Sequence, residues 1–227
     1  MSTAIITGGS RGLGLALAQA LAQRGWTLVL DARGGRELEQ AAAALRPHTE
    51  VITVAGDVAD PWHRGALIDA AGPEIDLLVN NASMLGPSPL PGLVSYPLGA
   101  LEAVYRVNVL APLALVQLAV PRMRLGARIL NVTSDAAVEA YEGWGGYGSS
   151  KAALEQLSAI LAAEHPELHV YAVDPGDMRT RMHQEAFPGE DISDRPLPQD
   201  SVPGLLELVE GDVPSGRYRA RELGVRA

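Results

Sequence analysis

The chain has 227 residues, of which 47% are apolar and 4% aromatic, and it carries a formal net charge of −9. This apolar content is enough to bury a core, which excludes a disordered chain, and the absence of cysteine excludes disulfides, thiolate metal sites and a cysteine nucleophile. The acidic balance, without any dense run of lysine or arginine, argues against a nucleic-acid partner.

The sequence also bears on the compartment. We find no apolar stretch that approaches the roughly 20 uncharged residues of a membrane span. The first three residues lead directly into a strand-like run, without the pattern of a signal peptide. We therefore expect a soluble, cytoplasmic protein with no membrane partner. The five histidines show no metal-ligand spacing, so we expect no metal site.

Short apolar runs alternate with longer helical stretches along the first half of the chain. Gly25 ends the first helix, as a glycine beyond a helix often does, and Pro61 suits the first turn of a later helix. Strands are predicted at 4–6, 27–30, 51–55 and 75–79, and helices at 13–24, 37–45 and 61–71.

The second half of the chain continues the same alternation. A long helix is predicted over 98–123, with a kink at Pro112, because proline removes a helical hydrogen bond. Strands are predicted at 128–132 and 169–173, helices at 149–163 and 205–209, and a last strand at 218–223.

Apolar strands separated by helices indicate a parallel sheet that is covered on both faces. Right-handed crossovers then give an α/β, doubly wound domain, which binds ligands beyond the carboxyl ends of its strands. We see no linker or repeat, so we expect a single domain over 1–227. The sequence motifs described below all follow predicted strands, where such a fold places its site.

A glycine-rich loop, Thr7 to Gly14, lies between the first strand and the first helix. Glycines there let the chain turn sharply and let a pyrophosphate approach main-chain N–H groups, and the helix N-terminus adds a partial positive charge. The loop therefore predicts a dinucleotide site.

Together with motifs further along, this loop resembles the short-chain dehydrogenase/reductase family. Its spacing is TGxxxGxG, and the later matches keep the family's order over nearly the whole chain. They are Asp57-Val58, which matches the family's adenine-contacting pair, Asn80-Asn81-Ala82 with Ser83 in place of a glycine, Asn108, Ser134, Tyr147 to Lys151, and Pro175 to Thr180. The resemblance implies a Rossmann-type fold and oxidoreductase activity with a nicotinamide dinucleotide. It implies cofactor contacts from Gly8, Ser10, Arg11, Gly12, Leu13, Gly14, Arg33, Asp57, Val58, Asn80, Ala82, Tyr147, Lys151, Pro175, Gly176, Met178 and Thr180.

The end of the second strand bears on which dinucleotide is used. A carboxylate there would bind a ribose 2′-hydroxyl and repel a 2′-phosphate. The family's acidic position falls on Ala32, whereas Arg33 and Arg11 offer guanidinium donors that suit a phosphate. This favours NADP(H). An NAD(H)-dependent enzyme stays open as the alternative, because Asp31 would take the ribose if the strand ended one residue earlier.

The catalytic candidates are Asn108, Ser134, Tyr147 and Lys151. Tyr147 and Lys151 are one helical turn apart, so a lysine ammonium could lower the pKa of the phenol and make it a general acid or base. Ser134 could donate a hydrogen bond to the substrate oxygen. The resemblance implies that Lys151 also binds the nicotinamide ribose and that Asn108 positions a water in a proton relay.

The expected reaction is hydride transfer between a carbonyl and an alcohol, with a small-molecule substrate. The rival hypothesis is a catalytically silent nucleotide-binding regulatory protein. Substrate specificity is expected from loops at 84–97, 136–146 and 178–198, with candidate walls at Met84, Leu85, Val138, Tyr141, Trp144 and Met182. The apolar outer faces of the helices predicted at 98–123 and near 147–163 indicate a homodimer or homotetramer.

Overall fold

The computed structural model describes residues 2–223, and its centre is one seven-stranded sheet in which all strands run parallel. The strand order is β3-β2-β1-β4-β5-β6-β7. The strands are β1 (Thr3–Ile6), β2 (Thr27–Ala32), β3 (Val51–Ala55), β4 (Ile75–Asn80), β5 (Met123–Val132), β6 (His169–Asp174) and β7 (Gly216–Arg219).

Helices connect the strands and cover both faces of the sheet. They are α1 (Gly12–Ala22), α2 (Gly35–Leu45), α3 (Pro61–Ala70), α4 (Leu98–Tyr105), α5 (Ala111–Ala119), α6 (Gly145–Glu164), α7 (Arg181–Ala186), α8 (Val202–Glu210) and α9 (Ala220–Leu223). The predicted doubly wound, Rossmann-type fold is confirmed.

The strand order reverses direction between β1 and β4, and this reversal determines where a ligand fits. From β1 the chain builds outward through β2 and β3, then crosses back to place β4 on the other side of β1. The connections on the two sides leave the sheet in opposite directions, which opens a crevice above the carboxyl ends of β1 and β4. The motifs after these strands therefore meet at one edge.

The core has one apolar cluster on each face of the sheet, because successive side chains of a strand point to opposite faces. In β1, Ile6 joins the cluster that packs against α1, α2 and α8, and Ile5 joins the cluster that packs against α3 and α5. Both isoleucines are fully buried. The central strands are thus apolar on both sides, as the sequence indicated.

The helix predicted over 98–123 is interrupted rather than simply kinked. A π-helical turn at Arg106–Leu110 separates α4 from α5, and the N–H of Ala111 donates to the carbonyl of Arg106. Pro112 has no N–H to offer the carbonyl of Asn108, so the regular ladder is broken at this point. A 3₁₀ turn then ends the helix at Arg122, and β5 starts at Met123.

By length and composition, the continuous helical segment Leu98–Arg122 could cross a membrane, with a mean hydropathy of 1.6. No segment of this kind was predicted from the sequence. Half of its most apolar window is buried inside the protein, where it packs against α3, β4 and α6. Its apolar character therefore serves the core that it covers.

Several predicted boundaries are wrong, and β5 starts at Met123, five residues before the predicted start at 128. The last strand was expected at 218–223, but β7 covers Gly216–Arg219 and residues Ala220–Leu223 form a helical turn. Pairing with β6 sets both ends of this strand, since Tyr171 lies opposite Gly216 and Asp174 lies opposite Arg219. Helix α6 begins at Gly145, four residues before the predicted start, and so includes Tyr147 in its first turn.

Candidate functional site

The glycine loop between β1 and α1 has a backbone that only glycine fits easily. Gly8 and Gly12 have positive φ values of 68° and 58°, a region that L side chains rarely adopt. A Cβ on Gly14 would lie 2.5 Å from the carbonyl oxygen of Gly8. Helix α1 begins at Gly12 without a side-chain cap, so its first N–H groups are available to an anion.

Thr7 and Asn81 hold this loop in place, and the sequence analysis assigned neither of them a role. The Asn81 side chain donates to the carbonyl of Thr7 (2.7 Å), and the backbone N–H groups of Asn81 and Ala82 donate to the Thr7 hydroxyl (both 2.9 Å). The ends of β1 and β4 are thus tied together. The side chain of Asn80 is buried and donates to Asn131 (2.8 Å), so it faces the interior instead of the cavity.

One cavity of about 730 Å³ extends along the carboxyl ends of the strands. It brings together the glycine loop, the end of β2, the segments after β3 and β4, and three of the four catalytic candidates, Ser134, Tyr147 and Lys151, whereas Asn108 does not line it. Of the residues predicted to bind a cofactor, those that line it are Gly8, Ser10, Arg11, Gly12, Leu13, Arg33, Asp57, Val58, Ala82, Tyr147, Lys151, Pro175, Gly176, Met178 and Thr180. Gly14 lies beneath the loop, against Gly8.

At the end of β2, the carboxylate of Asp31 is fully engaged within the protein. Its Oδ1 accepts from the N–H of Gly8 (2.7 Å), and its Oδ2 lies 3.0 Å from Nε2 of His63. Arg33 and Arg11 are exposed at the rim of the cavity. Within residues 2–223, neither of these arginines forms an ion pair.

The segment after β3 is shaped by its own carboxylate. Oδ1 of Asp57 accepts from the N–H of Ala59 (2.8 Å), which closes a short turn. Val58 is buried against Val107 and Ala111 of the long helical segment. This places Val58 at the cavity wall, where the resemblance expects contact with an adenine.

Tyr147 and Lys151 project from the first turns of α6 into the same cavity. The ammonium of Lys151 donates to the carbonyl of Val132 (2.8 Å) and lies 5.4 Å from the centre of the Tyr147 ring. Burial raises the pKa of Tyr147 and lowers that of Lys151 to about 7. A lowered pKa of the phenol was expected from the neighbouring lysine, but burial is the largest influence on Tyr147 and raises its pKa.

Ser134 follows β5, and its hydroxyl already has partners. It donates to Oδ1 of Asp135 (2.8 Å) and accepts from the N–H of Ala136 (3.2 Å), capping a 3₁₀ turn. Oδ2 of Asp135 in turn accepts from the hydroxyl of Tyr141 (3.0 Å). Asp135 is thus a cavity residue that the sequence analysis missed.

Asn108 lies in the π turn and is completely buried. Its Oδ1 accepts from the N–H of Met84 (2.8 Å) and the hydroxyl of Ser83 (3.2 Å), and its Nδ2 donates to the carbonyl of Met84 and to Ser150. The side chain therefore holds the segment after β4. The Ser83 hydroxyl, which donates to Asn108 here, can turn its proton to the Tyr147 phenolate, and this lowers the pKa of Tyr147, although less than burial raises it.

The segment after β6 closes the cavity from the opposite side. Gly176 has a φ of 74°, and its N–H donates to Oδ1 of Asp174 (2.9 Å). Thr180 caps α7 by accepting from the N–H of His183 (3.2 Å). The Cγ2 atom of Thr180 faces the glycine loop at Gly12, so the two segments border the same space.

An apolar cluster surrounds Tyr147 on the side away from the glycine loop. Among the predicted pocket walls, Leu85, Trp144 and Met182 join it, and the Trp144 and Tyr147 rings meet edge to face at 5.8 Å. Val138 and Tyr141 are exposed and lie outside the cavity. Phe187, which the sequence analysis did not single out, packs on Trp144 at 5.9 Å.

These features agree with comparisons to known proteins. The family model described as short chain dehydrogenase matches residues 2–191. The rhamnolipid-biosynthesis 3-oxoacyl-[acyl-carrier-protein] reductase of Pseudomonas aeruginosa is 32% identical, covering 99% of this chain and 86% of that protein.

Solved structures agree over nearly the full length. A short-chain dehydrogenase from Shigella flexneri, complexed with NADP, has a TM-score of 0.89 and 26% identity over 97% of both chains. An alcohol dehydrogenase from Thermococcus sibiricus, complexed with 5-hydroxy-NADP, has a TM-score of 0.85 and 26% identity over 100% of this chain and 99% of that chain. The fold, the motifs and these matches together show that the chain is an oxidoreductase of the short-chain dehydrogenase family.

Proposed function

We propose that this chain is an NADP(H)-dependent oxidoreductase that interconverts a carbonyl and an alcohol, with Tyr147 as the general acid or base. The observation that supports this most is the shared cavity: Tyr147 and Lys151 face the same space as the glycine loop. A phenol that can carry a proton thus lies beside a site built for phosphates. Hydride transfer to a carbonyl requires both a proton donor and a bound dinucleotide.

The residues present fit a dinucleotide. Gly8 and Gly12 leave a cradle without side chains, and the uncapped start of α1 supplies N–H donors for the pyrophosphate. Lys151 would bind the nicotinamide ribose, as the family resemblance implies. When bound, the dinucleotide would supply or accept the hydride, and the remaining chemistry would belong to the protein.

Tyr147 would handle the proton. Burial raises the pKa of its phenol, so the group keeps its proton near neutral pH and can donate it when a carbonyl oxygen gains charge. Ser134 would stabilise that oxygen by turning its hydroxyl from Asp135 towards the substrate. In the oxidising direction, Tyr147 would act as the base once its proton is lost.

The preference for NADP(H) follows from the end of β2. Arg33 and Arg11 offer guanidinium groups at the cavity rim, and such groups suit a 2′-phosphate. The alternative NAD(H) enzyme would need the carboxylate of Asp31 at the ribose, but that carboxylate is bonded to Gly8 and His63. The NADP complexes of the Shigella flexneri and Thermococcus sibiricus proteins support the same choice.

The substrate is proposed to be a small molecule with an apolar or planar group beside its carbonyl. Leu85, Trp144, Met182 and Phe187 form the apolar wall next to Tyr147, and such a wall favours a matching surface on the ligand. A regulatory protein without turnover has no specific support, because the cavity holds both Tyr147 and Lys151.

The experiment is an NADPH oxidation assay with a panel of ketones, aldehydes and 3-oxoacyl thioesters. The last class is included because the Pseudomonas aeruginosa relative is a 3-oxoacyl-[acyl-carrier-protein] reductase. On the best substrate, Tyr147→Phe is expected to lower kcat by roughly 10²- to 10⁴-fold, because the proton carrier is gone. Its Kd for NADP⁺ should stay nearly unchanged.

Tyr218→Phe is the matched control, since this phenol lies on β7 and donates to the carbonyl of Pro214 outside the cavity. It should keep normal turnover. Tight NADPH binding without oxidation by any substrate would favour the regulatory protein. A Tyr147→Phe variant with most of its activity would refute the assigned mechanism.

The assembly and compartment are also proposals. Apolar side chains on the outer surfaces of the long helical segment and of α6, including Leu110, Leu118 and Ile160, are exposed. Exposed apolar groups on paired helices favour association with a second copy, so we propose a homodimer or homotetramer. The cytoplasmic location and the absence of metal, membrane and nucleic-acid partners stay predictions.

A further inference from the structure

A buried carboxylate–imidazole pair lies directly behind the dinucleotide cavity. Asp31, at the end of β2, is 1% exposed, and His63, in α3, is 7% exposed. Nε2 of His63 lies 3.0 Å from Oδ2 of Asp31, while Oδ1 accepts from the N–H of Gly8 at 2.7 Å. Both oxygens of the carboxylate therefore have partners inside the protein.

His63 also fixes the segment after β3. Its ring fills the space where a Cβ on Gly56 would stand, so residue 56 can approach the ring only as glycine. Asp57 and Val58 follow at once and line the cavity. One imidazole thus touches the segment beside the adenine position and, through Asp31, the glycine loop.

We propose that His63 masks Asp31, and that this masking lets a chain with a carboxylate at the end of β2 accept the 2′-phosphate of NADP(H). This inference rests on the proposed use of NADP(H). Asp31 borders the cavity next to Ala32 and Arg33. A free carboxylate there would bind the ribose hydroxyl and repel the phosphate.

The hydrogen bonds to Asp31 are costly to break, and this keeps its carboxylate turned away from the cavity. If Asp31 turned towards the cavity, the N–H of Gly8 and the ring nitrogen of His63 would lose their acceptor, and His63 is almost fully buried. Leaving buried polar groups without partners is unfavourable. His63 is therefore a positioning residue: it acts on the cofactor through Asp31.

The test measures binding of NADP⁺ and NAD⁺ to the apoprotein by calorimetry, so it does not depend on turnover. His63→Leu removes the donor and frees one oxygen of Asp31. The ratio of the two Kd values should then move towards NAD⁺ by about tenfold, mostly through weaker NADP⁺ binding. His63→Gln can still donate to Asp31 and should stay much closer to the natural ratio.

Two further variants separate masking from a general structural effect. The double variant Asp31→Asn/His63→Leu has no charge to expose, so its preference for NADP⁺ should return towards the natural value. His48→Leu, at a histidine outside the cavity, is the matched control and should change neither Kd. Circular dichroism melts check that each protein is folded.

The outcomes distinguish this inference from the proposed function. If the natural chain bound neither dinucleotide, the proposed function would fail. If the natural chain preferred NADP⁺ but His63→Leu kept the same ratio of the two Kd values, masking would be wrong. Masking would also be wrong if the double variant lost as much preference for NADP⁺ as His63→Leu alone. Should His63→Leu not fold, His63→Asn replaces it, because this side chain is too short to span the distance to Asp31. An unchanged ratio of the two Kd values in His63→Asn would also overturn the inference.

Discussion

Tyr147 is surrounded by groups that act on its proton in opposite directions. Burial and the nearby carboxylates of Asp174 and Asp135 raise its pKa, whereas a hydrogen bond from Ser83 lowers it. Ser83 stands where the family motif has a glycine. The structure gives this departure a chemical meaning, because the serine hydroxyl can stabilise the phenolate.

We predict that Ser83→Gly changes the pH profile of catalysis. Removing a hydrogen bond that lowers the pKa of Tyr147 leaves a phenol with a higher pKa, so less phenolate exists at any given pH. For alcohol oxidation, the rising limb of kcat against pH should move to higher pH. Ser95→Gly, in an exposed turn, is the control. A limb that does not move would exclude this role for Ser83.

The elements of this fold are fixed partly by local sequence and partly by what they pack against. Strands β1 to β4 and β6 match their predicted ranges to within two residues because their apolar runs are continuous and bounded by turns. Helix α6 begins early at Gly145, although three glycines lie in its first turn, because Gly146 and Gly148 pack against Tyr96 and Ala136. Tertiary contact overrides the low helix propensity of glycine there.

The residues of the site likewise divide into those that local sequence predicts and those that depend on packing. The glycine loop, Ser134, Tyr147 and Lys151 could be predicted because their spacing along the chain is itself the signal. The partner of Asp31 could not, since His63 is 32 residues away and meets it only through the packing of α3 on the sheet. The full set of bonds around Asn108 was hidden for a similar reason, because the π turn that places it depends on Pro112 and on the neighbouring segment.

Helix α8 provides a test of packing at the level of elements. A Cβ on Gly204 would overlap the carbonyl of Ala220 at the start of α9, whereas a Cβ on Gly65 in α3 meets nothing within 4 Å. Gly204→Ala should therefore lower the free energy of unfolding by about 1–3 kcal/mol. Gly65→Ala should raise it by up to about 1 kcal/mol, because alanine favours helix. Urea titration measures both, and equal shifts would contradict this packing.

For the whole molecule, the parallel sheet brings distant parts of the chain to one edge. β7 contributes Arg217, whose Nε donates to Glu155 on α6 (3.0 Å) and whose Nη2 lies 3.4 Å from the carbonyl of Ser134. The same guanidinium is 3.7 Å from Asp174 at the end of β6. Strand β7 thus supports Ser134, the proposed catalytic serine, from behind.

The proposed assembly gives a prediction at the same scale. If the outer surfaces of the helices meet a second copy, the double variant Leu118→Asp/Ile160→Asp places charges in that interface and should yield monomers. Leu125→Asp changes a more exposed leucine on β5 and should leave the assembly intact. Analytical ultracentrifugation at micromolar concentration measures the oligomeric state of both variants. A monomeric natural chain would rule out the proposed homo-oligomer.

The position of β7 has a consequence for how the protein matures during synthesis. A ribosome releases Tyr147 and the glycine loop long before Arg217, so a nascent chain that has folded only through α8 would have its glycine loop and its phenol but lack the support behind Ser134. Such an intermediate could hold a nucleotide before it could turn over substrate. Binding of the dinucleotide would then precede catalytic activity. The bound dinucleotide could stabilise the incomplete sheet until β7 pairs with β6.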